Sequence, residues 1–259
     1  MNIHVAMMRS TCKIEGGGLV GTGFLVGKPI SKQPVRLRYT LVTAHHVLAE
    51  TRGNTTVMVF RRPKDDEEWE RVEVPLRIRD GDRDLWQKHV DVDLAAMHVR
   101  LPEGAVPGLL PMEFLVDDEK IRRFEMGPGT ELLCLGYPFG VEGTPEGFPI
   151  LRSGKIASYP LLPTKKRKTF LFDFTVFPGN SGGPVYWHER NPSFGGGTLI
   201  GSFQGIMGVV TRQTLFPQSV QLVYERREIR TPLALGEVIH ASFIRELVDS
   251  LPEPKDEDR

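Results

Sequence analysis

Ser181 lies in a glycine-rich run, Gly179-Asn180-Ser181-Gly182-Gly183-Pro184, where a hydroxyl group could act as a nucleophile. Glycine at position 179 permits a backbone geometry in which its N–H and the N–H of Ser181 point the same way. Two such donors form an oxyanion hole, which stabilises the charge that develops when a nucleophile attacks a carbonyl group. Taken alone, the run fits an ordinary glycine-rich turn equally well, so other residues must decide.

A serine nucleophile needs a base within hydrogen-bond reach and an acid that orients this base. Two adjacent histidines, His45 and His46, follow an apolar run that is typical of a strand. Two aspartates, Asp91 and Asp93, come just before another apolar run. The residue types therefore predict acyl-transfer chemistry, but they leave open which histidine and which aspartate take part.

The paired histidines could instead be metal ligands. Neighbouring residues on a strand point to opposite faces, and no further cluster of ligating residues accompanies His45 and His46. We therefore expect no metal ion, and nothing in the sequence indicates another cofactor.

An esterase with the α/β-hydrolase fold is a second alternative for the serine. Its nucleophile elbow requires a helix directly after the serine, whereas Pro184-Val185-Tyr186-Trp187 favours a strand. The esterase order also requires an acid and then a histidine further along the chain. Here His240 precedes the only later aspartates, which are Asp249, Asp256 and Asp258.

The composition is that of a globular protein with many short strands. The chain has 259 residues, enough for one large β domain or two small ones. Its 27 glycines and 20 prolines are scattered, which suits strands joined by turns. The 33 Lys and Arg residues balance 33 Asp and Glu residues, so charge gives no reason to expect nucleic acid or a membrane as a partner.

Several features predict a cytoplasmic protein. No apolar window approaches the length of a membrane-spanning helix, and the first residues lack the regions of a signal peptide. The two cysteines, Cys12 and Cys134, lie in apolar runs, where we expect buried free thiols.

The strand-like runs fall into two halves of the chain. Residues 102–128 are rich in Pro, Gly and charge and look like a connection, after which the second half begins near Glu131. Apolar residues at helical spacing between Ala241 and Leu251 predict one C-terminal helix. The predicted units are residues 1–110, residues 111–251 and a disordered tail of residues 252–259.

The segments around the two histidines, the two aspartates and Ser181 resemble the trypsin-like serine proteases with the chymotrypsin fold, especially the bacterial HtrA/DegP-like branch. That family carries a Thr-Ala-Ala-His or Thr-Asn-Ala-His element, then Asp-Leu/Ile-Ala, then Gly-Asn/Asp-Ser-Gly-Gly-Pro. The matching segments here are Thr43-Ala44-His45-His46, Asp93-Leu94-Ala95 and Gly179-Asn180-Ser181-Gly182-Gly183-Pro184. Supporting matches are Gly21-Thr22-Gly23-Phe24, Gly136-Tyr137-Pro138-Phe139-Gly140 and Gly205-Ile206-Met207-Gly208-Val209-Val210-Thr211.

The resemblance implies an all-β fold of two six-stranded antiparallel β-barrels, one in each half, followed by a C-terminal α-helix. It implies a serine endopeptidase that cleaves proteins or peptides without a cofactor. His46 fills the histidine place of its element and Asp93 the acid place, so the implied triad is His46, Asp93 and Ser181. The implied oxyanion donors are the N–H groups of Gly179 and Ser181.

The resemblance also concerns the substrate. In the family, the residue six positions before the nucleophile forms the floor of the main pocket, and Asp there selects Arg or Lys. Thr175 occupies this place and Val176 follows it, while Val210 and Thr211 lie on the strand that flanks bound substrate. A small or medium apolar side chain before the scissile bond is therefore expected, unless a carboxylate such as that of Asp173 enters the pocket.

Regulation is the last point that the resemblance bears on. Many trypsin relatives carry an Asp before the nucleophile that pairs with a newly cut N-terminus, whereas Asn180 is neutral, so no activation by clipping is expected. Only eight residues follow Leu251, so we expect no PDZ domain and a possible role for an activating protein partner. The alternative is a pseudoprotease, which keeps the barrels and only binds.

Overall fold

The computed structural model of the chain describes residues 2–32, 35–64, 68–108, 110–194, 197–221 and 225–253. The predicted disordered tail, residues 252–259, lies outside the described residues from position 254 onward. Most of the described chain is β-structure, as predicted, and each half of the chain forms its own main sheet. None of the described helices is long and apolar enough to span a membrane.

The N-terminal half forms an antiparallel sheet of seven strands. Its elements are α1 Ile3–Ser10, β1 Thr11–Gly16, β2 Leu19–Lys32, β3 Val35–Thr43, α2 His45–Ala49, β4 Thr55–Pro63, β5 Trp69–Arg77, β6 Arg79–Asp80, β7 Arg83–Asp84, β8 Gln87–Lys88 and β9 Ala95–Val99. The strand order is β5-β4-β1-β2-β3-β9-β8, and β6 and β7 form a separate pair.

The six-stranded closed barrel expected for this half is not seen within the described residues. No strand pairing joins β5 to β8, the two ends of the sheet. Strand β8 has only two residues, which pair with β9, so it is too short to continue the ladder. Buried side chains near this open side, including Ile78 and Trp86, complete the core instead of a further strand pair.

The C-terminal half contains the closed six-stranded barrel that the resemblance implies. Its elements are α3 Asp118–Arg123, β10 Glu131–Gly136, β11 Ile150–Ile156, α4 Thr164–Arg167, β12 Thr169–Asp173, β13 Pro184–Arg190, β14 Ser193–Phe194, β15 Gly197–Thr198, β16 Ser202–Gln221, β17 Arg226–His240 and α5 Ala241–Ser250. The barrel runs β10-β11-β12-β17-β16-β13. Strands β16 and β17 continue beyond it as a long hairpin.

Two terminal helices pack where the sheets meet. Helix α5 confirms the predicted C-terminal helix, and its apolar residues Phe243, Ile244, Leu247 and Val248 are buried. Helix α1 was not predicted; Asn2 caps it by accepting a hydrogen bond from the N–H of His4. Both helices share one core cluster with residues from both sheets, so the two halves are packed into one unit.

The two cysteines are free and buried, as predicted. Cys12 lies on β1 and Cys134 on β10, in different sheets. Burial raises the pKa of each thiol to about 12, so both remain protonated and behave as small apolar side chains.

Arg61, on β4, joins α1 to the second half of the chain. Its side chain is 3% exposed. One guanidinium nitrogen donates to the Tyr137 hydroxyl at 3.0 Å and to the carbonyl of Gly147 at 3.1 Å. The other donates to three carbonyl groups at the end of α1 and the start of β1, those of Met8, Arg9 and Thr11. These bonds stabilise a buried charge and hold Tyr137 against the first half.

Candidate active site

His46 and Asp93 are joined by two hydrogen bonds at the start of α2. Strand β3 ends at Thr43, so His46 lies in the first turn after the strand. The Nδ1 atom of His46 lies 2.7 Å from Oδ2 of Asp93, and the N–H of His46 donates to Oδ1 at 3.0 Å. The carboxylate therefore orients both the ring and the backbone of His46.

His45 and Asp91, the other histidine and the other aspartate, are placed differently. His45 lies 3.9 Å from Asp93, measured between Nδ1 and Oδ1, and its ring packs edge-on against Trp86. Asp91 is exposed and forms an ion pair of 3.2 Å with a surface lysine. The residue types alone left open which histidine and which aspartate pair, and the family resemblance favoured His46 with Asp93. The shortest contact between them is that of His46 with Asp93, at 2.7 Å.

This contact shifts both pKa values. The hydrogen bond from His46 to the Asp93 carboxylate raises the pKa of His46 above its ordinary value and, with the negative charge of Asp93, outweighs the effect of burial, which would lower it. Burial raises the pKa of Asp93, but the hydrogen bond and the charge of His46 together bring it below its ordinary value. The pair thus combines a carboxylate with an imidazole that readily accepts a proton, as a general base requires.

The pH dependence of activity tests this arrangement. A general base must be neutral before it accepts a proton, so kcat/KM should rise with pH through the raised pKa of His46. In Asp93→Asn the stabilising charge is lost, and the same rise should move to lower pH. Residual kcat/KM measured across the range in which histidine titrates would show the shift. A rise at unchanged pH in the variant would contradict the role of this contact.

Ser181 lies in a turn whose glycines leave no room for side chains. A Cβ atom placed at Gly179, Gly182 or Gly183 would lie 2.1, 1.9 or 2.3 Å from a backbone oxygen. Gly179 and Gly182 also have φ values of 94° and 87°, which favour glycine. Strand β13 begins at Pro184, so a strand follows the serine and the esterase elbow does not fit.

The turn leaves the N–H groups of Gly179 and Ser181 without a protein acceptor among the described residues. These N–H groups belong to the peptide groups whose carbonyls are those of Pro178 and Asn180, and each carbonyl accepts a hydrogen bond. The donors are the N–H of Phe139 at 2.6 Å and the N–H of Gly183 at 2.9 Å. Because the C=O and N–H of a trans peptide point in opposite directions, both free N–H groups point away from these contacts. Such a pair can bind an oxyanion.

The hydroxyl of Ser181 donates to the carbonyl of Thr211, on β16, at 2.8 Å. Among the described contacts, none joins this hydroxyl to His46. Both side chains nevertheless line one cavity of about 150 Å³ with mostly apolar walls. The other lining residues are Ile14, Leu19, Val20, Gly21, Val47, Glu50, Thr51, Pro178 and Gly179.

The four predicted pocket residues differ in exposure, and none of them is among the residues that line the cavity of Ser181. Thr175 is half-buried, and its carbonyl accepts a hydrogen bond from Arg152 at 2.7 Å. Val176 and Val210 are buried in the core of the barrel. Thr211 is also buried, and it is the only one of the four that is seen to contact the serine hydroxyl.

Asn180 is buried and needs no charged partner. Its side chain is 1% exposed, and its Oδ1 atom accepts a hydrogen bond from the N–H of Phe177 at 2.9 Å. The amide is therefore held within its own turn, and the absence of activation by clipping stays a prediction.

One residue that contacts the turn was not singled out from the sequence. Thr22, on β2, bonds to the carbonyls of both Gly179 and Ser181. The only signal in the sequence was its place between two glycines, Gly21 and Gly23. No group of three or more His, Cys, Asp or Glu side chains that could hold a metal ion occurs in the part of the chain that the structure describes.

The comparison with known families agrees with this geometry. Residues 21–191 match the family model of the trypsin-like peptidase domain. The chain therefore belongs to the trypsin-like peptidase family, and its class of activity is that of a serine peptidase. No curated protein matches the chain significantly.

Two solved structures of Rv3671c, both in an inactive form, are similar to this chain. A serine-to-alanine mutant of Rv3671c from M. tuberculosis H37Rv has 18% sequence identity and a TM-score of 0.48, over 96% of this chain and 91% of that chain. The Rv3671c protease has 19% identity and a TM-score of 0.48, over 97% and 93% of the two chains.

Proposed function

We propose that this chain is a serine endopeptidase that uses Ser181 as nucleophile, His46 as general base and acid, and Asp93 as the group that orients His46. The observation that carries the proposal is the contact of 2.7 Å between His46 and Asp93, together with the cavity that both His46 and Ser181 line. A second support is the pair of free N–H groups in the serine turn.

The chemistry proposed is acyl transfer. His46 takes the proton of the Ser181 hydroxyl as the oxygen attacks a peptide carbonyl, and Asp93 stabilises the resulting imidazolium. The N–H groups of Gly179 and Ser181 bind the oxyanion of the tetrahedral intermediate. His46 then protonates the leaving amine, the acyl-enzyme forms, and water releases the second product by the same steps.

The proposed organisation assigns the base and the nucleophile to different halves. Residues 1–110 carry His46 and Asp93, and residues 111–251 carry Ser181, within one protease unit. The core cluster shared by both sheets supports this assignment, since it fixes the position of one half relative to the other.

For specificity, we propose that a small or medium apolar side chain precedes the scissile bond. Thr175 gives the pocket a neutral floor, and the guanidinium of Arg152 binds the Thr175 carbonyl at 2.7 Å. A nearby cation disfavours a substrate Lys or Arg, because like charges repel each other. The pocket is therefore better suited to an uncharged side chain.

Cleavage of an unbiased peptide library by the wild-type protein tests both proposals. We expect cleavage mainly after small or medium apolar residues, with mass spectrometry identifying the cut sites. Cleavage only after Lys or Arg would contradict the proposed specificity and would leave the endopeptidase activity established. The same library treated with Ser181→Ala protein serves as the control for contaminating proteases.

A partner-activated or purely binding protein is a second candidate, and one observation favours it. The Ser181 hydroxyl is bonded to Thr211 instead of His46, so the nucleophile and its base are not in contact at rest. Under this alternative, folded protein would not react with a fluorophosphonate probe until a partner is added. Reaction of the isolated protein would exclude it.

A further inference from the structure

Thr22 lies at the contact between the two halves of the proposed site. Its side chain is completely buried. The hydroxyl donates to the carbonyl of Gly179 at 2.6 Å, across 157 positions in the sequence. The N–H of Thr22 donates to the carbonyl of Ser181 at 2.8 Å. One residue of β2 thus binds the two carbonyls on either side of the Asn180–Ser181 peptide group.

The other contacts of Thr22 fix its own position. Its hydroxyl accepts a hydrogen bond from the N–H of Tyr137 at 3.3 Å, and its carbonyl accepts one from the hydroxyl of Thr43 at 2.6 Å. Thr43 is the last residue of β3, just before the helix that carries His46. Thr22 therefore connects the strand that leads to the proposed base with the turn that carries the proposed nucleophile.

We propose that Thr22 is a positioning residue that orients the oxyanion donors of this serine peptidase. Gly179 has no Cβ and a φ of 94°, so its own sterics restrict the peptide groups around it little. A hydrogen bond to its carbonyl supplies the restraint that a side chain would otherwise give. Because the carbonyls of Gly179 and Ser181 are both bound by Thr22, the intervening peptide group keeps one orientation, with the N–H of Ser181 free.

The inference rests on the proposed function, since an oxyanion hole has a role only in a reaction that develops negative charge on a substrate oxygen. One part of the inference can be tested without any activity: the hydroxyl of Thr22 should keep the serine turn in one conformation. Three amides in the turn donate hydrogen bonds, those of Asn180, Gly182 and Gly183, and their hydrogen exchange reports on this order.

The test compares Thr22→Val, which keeps the shape and removes the hydroxyl, with Thr22→Ser, which keeps the hydroxyl. We expect Thr22→Val to lower kcat by about 100-fold, since a misplacement of about 1 Å costs about 100-fold and complete loss of an oxyanion donor costs about 100- to 1000-fold. KM should change little. Affinity for a peptide aldehyde, which forms a tetrahedral adduct, should fall in parallel with kcat, and Thr22→Ser should restore both values.

Thr56→Val is the matched control. Thr56 is 1% exposed and its hydroxyl also donates to a backbone carbonyl, that of Glu15 at 2.9 Å, on the same sheet. It should lower the melting temperature as Thr22→Val does, because each variant takes a hydroxyl donor away from a backbone carbonyl, fully buried for Gly179 and part-buried for Glu15. It should leave kcat unchanged and the exchange of the turn amides as in the wild type.

The outcomes distinguish failure of the positioning role of Thr22 from failure of the proposed peptidase activity. Faster exchange at Asn180, Gly182 and Gly183 in Thr22→Val alone supports the positioning role, even if the wild type cleaves no peptide and the proposed function fails. Normal exchange with normal kcat in Thr22→Val, together with a loss of stability equal to that of Thr56→Val, would overturn it and show that the bond is only structural.

Discussion

Replacement of Ser181 by alanine should abolish peptide hydrolysis, with a fall in kcat of about a millionfold, as in a comparable serine protease that loses its nucleophile. The physical reason is that, among the described residues lining the cavity, the one other hydroxyl is that of Thr51, and it donates to the carbonyl of Val47 at 2.7 Å. The fold should remain, since the variant removes one oxygen atom and its bond to the carbonyl of Thr211. Hydrolysis of a peptide substrate and labelling by a fluorophosphonate probe both measure the effect.

Ser250→Ala is the control for this variant. The hydroxyl of Ser250, on α5, also donates to a backbone carbonyl, that of Leu247 at 2.7 Å, and it lies outside the proposed site. Its removal should leave labelling and hydrolysis unchanged. Labelling that persists in Ser181→Ala would mean that another residue is the nucleophile, and the proposed mechanism would then be wrong.

Replacement of Asp93 by asparagine should lower kcat by about 10,000-fold while leaving the geometry largely intact. An amide has nearly the shape of the carboxylate, but it lacks the charge that stabilises the imidazolium of His46. Its NH₂ group can also turn toward Nδ1 and favour the wrong tautomer of the ring. The ratio of wild-type to variant kcat, measured on one peptide substrate at the pH of maximal activity, gives the size of the effect.

Asp91→Asn provides the matched control, because Asp91 lies two positions away and is exposed in its ion pair with Lys168. Exposed ion pairs contribute roughly 0–1 kcal/mol to stability, so this variant should retain nearly full activity. Equal losses in Asp91→Asn and Asp93→Asn would show that the sequence resemblance had assigned the acid wrongly.

The elements that local patterns predict are the ones that the structure reproduces best. The helical spacing of apolar residues predicted α5, and the apolar run after Pro184 predicted β13. Helix α1 was missed because it is only eight residues long and begins at Ile3, close to the start of the sequence. The closed barrel expected in the N-terminal half does not occur among the described strands, since closure depends on the pairing of distant strands, which no local pattern records.

The amino-acid sequence by itself determined the segments that bear the proposed chemistry and the need for glycine in the serine turn. These features depend on residue type and on neighbours close in the chain. Only the tertiary structure decided that His46 contacts Asp93 most closely, that the hydroxyl of Ser181 rests on Thr211, and that Thr22 holds the turn. These three contacts join residues that are 47, 30 and 157 positions apart in the sequence, so their geometry follows from how the strands pair and the sheets pack.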